Sequence, residues 1–244
     1  MTLFRILVST FFIGLFSLVG VFTLALKQKT LEKILLFLVA LSTGVLMGGA
    51  FLHLLPEALT ESPPQTAFAW TLGAFALFFL IEKLLHWRHC HKGHCDVHTF
   101  GHMNLFGDAV HNFIDGMIIA ATFVVSAPLG WMTVLAIALH EIPQEIGDFG
   151  VLLYAGFSKK RALFLNFVVA MIALLGAGLG YYLSLQSSKM VALLLPVAAG
   201  GFIYISASDL LPELRKEISL QKSFISFGIF LLGILIMYGA TFLE

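Results

Sequence analysis

Imidazole, carboxylate and amide groups are concentrated in two short segments of this sequence, HNFIDG (111–116) and HEIPQEIGDF (140–149). Eight of their side chains are candidate metal ligands: His111, Asn112, Asp115, His140, Glu141, Gln144, Glu145 and Asp148. Nitrogen and oxygen ligands of these kinds suit zinc, iron(II) or manganese(II) better than copper(I), which prefers sulfur. The two segments therefore predict a site for a divalent transition metal.

Helical geometry places the polar side chains of each segment on one face. His111 and Asp115 are four residues apart, which separates them by about 40° around a helix and about 6 Å along its axis. His140 and Gln144 have the same spacing. An adjoining stripe on the second helix contains three carboxylates: Glu141, Glu145 and Asp148. Two such helices facing each other can enclose one or two metal ions.

The composition indicates that these helices lie in a membrane. The chain is 59% hydrophobic and 11% charged, with a mean hydropathy of +0.96, whereas a soluble domain is about 45–50% apolar and about 25% charged. A bilayer-crossing helix needs about 20 apolar residues. Eight stretches meet this length: 5–26, 33–59, 66–86, 102–125, 129–155, 161–184, 190–212 and 223–242. We predict an all-α, polytopic membrane protein with one domain over residues 1–244.

The basic residues predict the orientation of these eight spans. Lysine and arginine fall almost entirely in or beside loops one, three, five and seven, and only Arg5 and Lys189 lie on the other side. Because cytoplasmic loops carry the excess of basic residues, the odd-numbered loops are expected in the cytoplasm and both termini outside. The expected location is the plasma or inner membrane, with the lipid bilayer as surroundings.

Carboxylates in such a setting must be neutralised by protons, paired with cations or exposed to a water-filled cavity. A charged group at the centre of a membrane helix costs about 2.5–3.5 kcal/mol, so four of them cost on the order of 10 kcal/mol. The fourth and fifth spans contain no lysine or arginine that could balance Asp115, Glu141, Glu145 and Asp148. A bound metal cation balances them; a structural polar network between the helices is the alternative.

Pro143 lies in the middle of the second polar segment. A proline inside a helix removes the hydrogen bond to the carbonyl four residues earlier, here that of Leu139. In a membrane this freed carbonyl needs another partner. We expect a water or metal pathway beside it to provide one.

Two other segments resemble each other and predict an internal repeat. GGAFLHLLPEAL (48–59) ends the second span and SASDLLPEL (206–214) ends the seventh, and aligning their shared LLPE places His53 opposite Asp209. The two spans run in opposite directions, which is typical of the inverted repeats of transporters. We predict that helices 1–3 and 6–8 are related in this way around helices 4–5; coincidence in a leucine-rich chain is the alternative.

A histidine- and cysteine-rich loop (87–101) is expected on the cytoplasmic side. Its candidate metal ligands are His89, Cys90, His91, His94, Cys95 and His98. Such tracts bind metals of the zinc group, and cytoplasmic cysteines are expected as reduced thiols. The irregular spacing fits no zinc finger, so we interpret the loop as a chelator of low specificity, with a solvated polar loop as the alternative.

These motifs resemble those of the ZIP family of divalent metal transporters. HNFIDG and HEIPQEIGDFGVLL are similar to the fourth and fifth helices of the subfamily whose fifth helix reads HEIPHEIGDFA, and segments 44–59 and 200–214 resemble its second and seventh helices. The resemblance implies a binuclear metal site midway through the membrane, and one helix bundle that moves against another. The implied ligands are His111, Asn112, Asp115, His140, Glu141, Gln144 and, reaching in from the second helix, His53, with Glu145 a weaker candidate.

One residue departs from the subfamily pattern. Gln144 stands where that pattern has a second histidine, and an amide oxygen is a weaker zinc ligand than an imidazole. The substitution favours harder metals such as manganese. Three further acidic residues are assigned to the metal's entry or exit path: Glu57, Asp148 and Asp209.

The resulting prediction is a divalent metal transporter. It moves zinc, or iron, manganese or cadmium, into the cytosol, with the metal as substrate and no catalytic cofactor. A second copy of the chain is a candidate partner, and nucleic acid is not expected. The rival from another class is an intramembrane metal-dependent hydrolase, which would use the same ligands and an activated water. Metal flux through the isolated chain separates the two.

Overall fold

The computed structural model describes residues 1–24, 26–87 and 97–242, and within these ranges the chain is helical and contains no strand. Eight helices follow one another: α1 (Thr2–Gly14, a 3₁₀ turn Leu15–Leu18, and Gly20–Thr23), α2 (Gln28–Gly49, a π turn Ala50–Leu54, and Leu55–Glu61), α3 (Pro64–Trp87), α4 (Val97–Val125), α5 (Ala127–Tyr154), α6 (Lys159–Ala170 and Ile172–Gln186), α7 (Ser188–Tyr204, a π turn Ile205–Leu210, and Leu211–Arg215) and α8 (Leu220–Ala240). The predicted all-α architecture is confirmed.

Seven of these helices are long and apolar enough to cross a membrane, by length and composition: α1–α4 and α6–α8. α5 falls outside that set although it has 28 residues. Its polar segment 140–148 lowers its hydropathy. We treat α5 as the eighth span because it packs against α1, α2 and α4, all of which are candidate spans.

The short link between α4 and α5 places the two polar segments side by side. Only Ser126 separates the two helices, and its hydroxyl oxygen accepts a hydrogen bond from the backbone N–H of Leu129 at 3.2 Å. A serine N-cap followed by Pro128 in the first turn is a favourable helix start, because early N–H groups have no helical acceptor. The resulting antiparallel pair brings position 111 of α4 next to position 140 of α5.

Glycines bring α4 and α6 into backbone contact. A Cβ added to Gly116 would lie 1.9 Å from the carbonyl oxygen of Ala173, and one added to Gly176 would lie 1.9 Å from that of Phe113. Gly180 packs against the backbone of Met117. Small residues permit such close approach between membrane helices. The interface between α4 and α6 therefore depends on residues without side chains.

Two equivalent glycine contacts support the predicted repeat. The LLPE alignment that places His53 opposite Asp209 also places Gly44 opposite Gly200. A Cβ on Gly44 would lie 2.0 Å from the Phe230 carbonyl oxygen of α8, and one on Gly200 would lie 2.4 Å from the Thr71 carbonyl oxygen of α3. A π turn also precedes LLPE in both α2 and α7. The α2–α8 pair thus corresponds to the α3–α7 pair.

Burial varies strongly among the helices. α3 and α8 are mostly exposed and present apolar side chains outward: Phe79, Leu80, Phe227 and Leu235. α2, α4 and α7 are the most enclosed of the seven candidate spans. The fully buried side chains of α4 and α7 form a common core with α5 that includes Ile119, Ile137 and Phe202. The polar faces of α4 and α5 lie within this interior.

The carbonyl freed by Pro143 has a protein group within hydrogen-bonding distance. α5 is a continuous helix through Pro143. The hydroxyl of Ser42 in α2 lies 2.6 Å from the carbonyl oxygen of Leu139 and 2.7 Å from that of Leu38. The single hydroxyl proton of Ser42 is therefore shared between a carbonyl of its own helix and the Leu139 carbonyl of α5.

Candidate metal site

Four predicted ligands from α4 and α5 form one compact group, which we call the histidine–carboxylate cluster. Its members are His111, Asp115, His140 and Glu141, and one candidate ligand atom of each lies within 4.8 Å of those of the others. Three of the four residues are buried and His111 is partly buried. The cluster draws two residues from each helix: the pair His111 and Asp115 that the spacing selected on α4, and on α5 His140 with Glu141 in place of Gln144.

The interatomic distances in the cluster resemble those of a tetrahedral site. His111 Nε2 lies 3.1 Å from His140 Nε2, 3.3 Å from Glu141 Oε1 and 3.6 Å from Asp115 Oδ2. His140 Nε2 lies 3.3 Å from Asp115 Oδ2 and 3.5 Å from Glu141 Oε1. Four ligands at zinc–nitrogen and zinc–oxygen bond lengths around a tetrahedron are about 3.3 Å apart. Five of the six distances between the four atoms are therefore close to the spacing of a tetrahedral metal site.

The backbone fixes which nitrogen of His140 is available. Its Nδ1 lies 3.1 Å from the carbonyl oxygen of Ala136, one turn earlier in α5. Because a carbonyl can only accept, Nδ1 carries the proton and the lone pair of a neutral ring is on Nε2. A backbone partner of this kind commonly orients a metal-binding histidine. His140 is therefore arranged to bind through Nε2.

Two carboxylate oxygens of the cluster have no hydrogen-bond donor. Asp115 Oδ2 and Glu141 Oε1 are buried and lack a hydrogen-bond partner. Unsatisfied buried oxygens are costly, and more so when the group is charged. A cation between the four atoms would satisfy both.

A second group of carboxylates lies one helical turn away, and we call it the acidic cluster. It consists of Asp108, Glu145 and Asp148, each of which offers an oxygen within 4.8 Å of the others. Sequence reasoning did not single out Asp108. Its position three residues before His111 and seven before Asp115 puts it on the same helical face, so the spacing rule that selected His111 would also have found it.

Two predicted amide ligands contact the acidic cluster instead of the histidine–carboxylate cluster. The side-chain amide of Asn112 donates to Asp108 Oδ1 at 2.8 Å, and that of Gln144 donates to the same oxygen at 3.2 Å. The bond from Gln144 thus connects α5 to Asp108 of α4, whereas the bond from Asn112 lies within α4.

His53 lies outside both clusters. Its Nε2 is 2.8 Å from the carbonyl oxygen of Met237 in α8. The side chain lines a narrow gap with no room for a water molecule, together with Thr133, Ala136 and Phe202. Phe202 in turn makes an edge contact with the His140 ring, with ring centroids 6.2 Å apart. His53 and His140 therefore both lie near Phe202, but His53 belongs to neither cluster.

The remaining candidates belong to neither cluster or lie outside the described residues. Glu57 is partly buried in α2 after its π turn, and Asp209 is exposed within the π turn of α7. Among the loop candidates, His89, Cys90, His91, His94 and Cys95 lie outside the described residues. His98 belongs to α4, but its side chain is not described.

Comparisons with known proteins agree with the motifs. The family model "ZIP Zinc transporter" matches residues 3–99 and 88–241. Zinc transporter ZIP13 of Pongo abelii is 36% identical over 82% of this chain and 65% of its own length. Human ZIP13 is 31% identical over 82% of this chain and 69% of its own length. Zinc transporter zipt-7.1 of Caenorhabditis briggsae is 28% identical over 86% of this chain and 72% of its own length. The chain spans slightly less than two thirds of the first curated relatives it matches.

Proposed function

The chain belongs to the ZIP zinc transporter family, and on that premise we propose that it carries a divalent metal ion, zinc first among them, into the cytosol. The histidine–carboxylate cluster is the observation that carries this proposal. Two imidazoles and two carboxylates at tetrahedral spacing fit zinc, and their place on two central helices suits an ion in transit through the membrane.

The direction of transport rests on the distribution of basic residues. Lys159 and Lys160 begin α6, directly after the loop that follows α5, and Arg215 and Lys216 lie where α7 ends and the loop to α8 begins. The positive-inside rule assigns these loops to the cytoplasm and both termini to the outside of a plasma or inner membrane. The histidine- and cysteine-rich loop would then meet the ion as it leaves.

The geometry of the cluster favours transport over hydrolysis. A catalytic zinc site has about three protein ligands and an open position for water. Here His111, Asp115, His140 and Glu141 already provide four ligand atoms at tetrahedral spacing. An ion held by four protein ligands has no vacant position for an activated water, so we propose a carrier and not an enzyme.

Zinc flux through the purified chain tests the proposal. The chain is reconstituted alone in liposomes that contain a fluorescent zinc reporter, and iron(II), manganese(II) and cadmium are added as competitors. We expect saturable zinc entry that the competitors reduce. His111→Ala and Glu141→Ala should abolish the saturable component, and Glu213→Gln, at an exposed carboxylate, should retain it. The proposal would be refuted if the folded wild type showed no flux. It would also be refuted if both cluster variants retained full activity.

A further inference from the structure

The chain turns sharply between α5 and α6, and its backbone there is held by hydrogen bonds. Gly156 has a φ of 83°. The backbone N–H groups of Gly156 and Phe157 donate to carbonyls in the last turn of α5 at 3.0 and 3.1 Å. This pair of bonds is the Schellman motif, which glycine favours because it adopts a positive φ without strain. Ser158 then caps α6, since its hydroxyl oxygen accepts from the backbone N–H of Arg161 at 3.4 Å.

Two nitrogen-bearing side chains contact the ring of Phe157. The guanidinium carbon of Arg161 lies 5.1 Å from the ring centroid, a distance at which a cation is attracted to an aromatic ring. The ring of His102 in α4 makes an edge contact, with centroids 5.2 Å apart. Gly101 permits this approach, because a Cβ there would lie 2.8 Å from the Phe157 ring. Phe157 is buried, whereas Arg161 and His102 are exposed, so one buried ring positions two exposed donors.

Three consecutive cations lie at this turn without a carboxylate partner. Lys159, Lys160 and Arg161 are exposed, and within the described part of the chain none of them forms an ion pair. The sequence contains no aspartate or glutamate in residues 97–107 or 149–208. The two segments that meet at the turn therefore supply no counter-charge. We call the exposed donors of this region the basic corner: His102, Lys159, Lys160 and Arg161.

The lysines beside α8 show that the positive-inside rule does not explain this lack of partners. Lys216 and Lys222 lie on the same predicted side of the membrane, and they pair with Glu213 and Glu217. The rule concerns the side on which basic residues lie, and both groups of cations obey it. The unpaired charge of the basic corner therefore needs an explanation of its own.

The basic corner lies where α4 and α6 meet the membrane surface. The candidate span of α6 begins at Lys159, and that of α4 begins at Asn104, two residues after His102. Anionic lipids of the cytoplasmic leaflet attract basic residues next to a span. The planar N–H groups of arginine match phosphate oxygens, and lysine adds a point charge. A lipid phosphate is therefore the anion that this depth and these donors fit.

We propose that the basic corner binds the phosphate of an anionic phospholipid in the cytoplasmic leaflet. Arg161 donates to the phosphate oxygens, the two lysines supply further charge, and a ring N–H of His102 donates in either protonation state. The choice of leaflet rests on the orientation proposed above, whereas the binding itself does not. A bound headgroup would connect the beginning of α4 to the beginning of α6, at the end of the helix pair that carries the histidine–carboxylate cluster.

Native mass spectrometry of the full chain in detergent micelles tests the proposal, because it counts bound lipids and gives their affinity. Phosphatidylglycerol is the probe and phosphatidylcholine is the neutral comparison. Each basic residue near an anionic membrane surface strengthens binding by about fivefold. Lys160→Gln with Arg161→Gln should therefore weaken phosphatidylglycerol binding by about 25-fold. The control of equal charge is Lys216→Gln with Lys222→Gln, which should bind like the wild type because these lysines already have carboxylate partners.

Soluble glycerol 3-phosphate, which has the phosphate without the acyl chains, separates a lipid site from a site for a free anion. We expect that it does not displace phosphatidylglycerol at equal concentration. Displacement would overturn the proposal, as would equally tight binding of phosphatidylcholine by the wild type. The proposal also fails if the folded Lys160→Gln, Arg161→Gln variant binds phosphatidylglycerol like the wild type, or if the control pair loses as much affinity. Zinc flux does not enter these measurements, so a chain that binds the lipid without transport contradicts only the proposed function.

Discussion

The hydroxyl of Ser42 in α2 lies 2.6 Å from the carbonyl oxygen of Leu139 in α5, the oxygen that Pro143 deprives of its helical partner. Ser42→Ala should therefore leave a buried acceptor unsatisfied. Hydrogen bonds between membrane helices contribute about 1 kcal/mol, so we expect the free energy of unfolding to fall by about that amount. Reversible unfolding by dodecyl sulfate in mixed micelles measures the change.

Thr43→Ala is the matched control for Ser42. Thr43 is equally buried, and its hydroxyl donates to Val39 within the same helix at 2.6 Å. Val39 can keep its helical N–H donor when this side chain is lost, so the control should be less destabilising. An equal loss of unfolding free energy in the two variants would show that the bond to Leu139 contributes no more stability than a hydroxyl bond within one helix.

Two histidine variants separate metal binding from helix packing. His111→Gln removes an imidazole from the histidine–carboxylate cluster, and even changes beside metal ligands reduce affinity by about 10–100-fold. The zinc concentration for half-maximal uptake should rise by more than tenfold. His53→Gln retains an N–H donor for the Met237 carbonyl, so its uptake should stay near that of the wild type. Equal losses would instead support the ligand role that the family resemblance implies for His53.

Gln144→His should alter metal selectivity. The change introduces an imidazole, which prefers zinc, and removes an amide that orients Asp108. The ratio of zinc to manganese uptake in liposomes should increase by about tenfold, the size of effect expected for groups next to a metal ligand. Unchanged zinc affinity and unchanged uptake of both metals would contradict a role for Gln144 in selectivity.

The glycine contacts of the repeat should respond alike to a methyl group. Gly44→Ala and Gly200→Ala each place a Cβ within 2.4 Å or less of a carbonyl oxygen on the neighbouring helix. Overpacking of this kind costs about 1–3 kcal/mol. The controls are Gly228→Ala and Gly73→Ala. Both glycines lie on those same neighbouring helices, and a Cβ added at either position has nothing within 4 Å. These controls should unfold no more easily than the wild type, because alanine favours helix over glycine.

Deletion of residues 89–98 tests the role of the loop. The histidine–carboxylate cluster lies outside the deleted segment, so transport should persist. The loss of six histidine and cysteine ligands should change its efficiency or its regulation by metal. Zinc uptake is measured on protein whose membrane insertion matches that of the wild type. Complete loss of uptake would assign the loop an essential step.

The sequence predicted the first cluster because its ligands obey local rules. His111 and Asp115, like the residues beginning at His140, are separated by helical turns, and the absence of lysine and arginine nearby indicated an external cation. Asp108 obeys the same spacing and was within reach of that rule. Asn166, which donates to Glu145, was not within reach of the rule, because it is the isolated polar residue of an apolar stretch of α6. The glycine contacts with α4 decide which face of α6 turns inward.

The contacts of α2 were beyond local reasoning for a different reason. Ser42 resembles any serine that bonds to its own helix, and only the packing of α2 on α5 brings it to the Leu139 carbonyl. The direction of His53 depends on a π turn, Ala50–Leu54, whose extra residue per turn changes the face on which later side chains lie. LLPE predicted that two segments are related, but it did not predict this turn.

The glycine contacts also determine where the helix assembly can deform. Backbone meets backbone between α2 and α8 at Gly44, between α3 and α7 at Gly200, and between α4 and α6 at Gly176. None of the three glycines of α5 makes such a contact, and α5 meets α2 through side chains and the hydroxyl of Ser42. We therefore expect each of the three pairs to move as a unit and the boundary between α2 and α5 to yield first. Shear along that boundary would break one hydrogen bond while leaving every interlocked backbone intact.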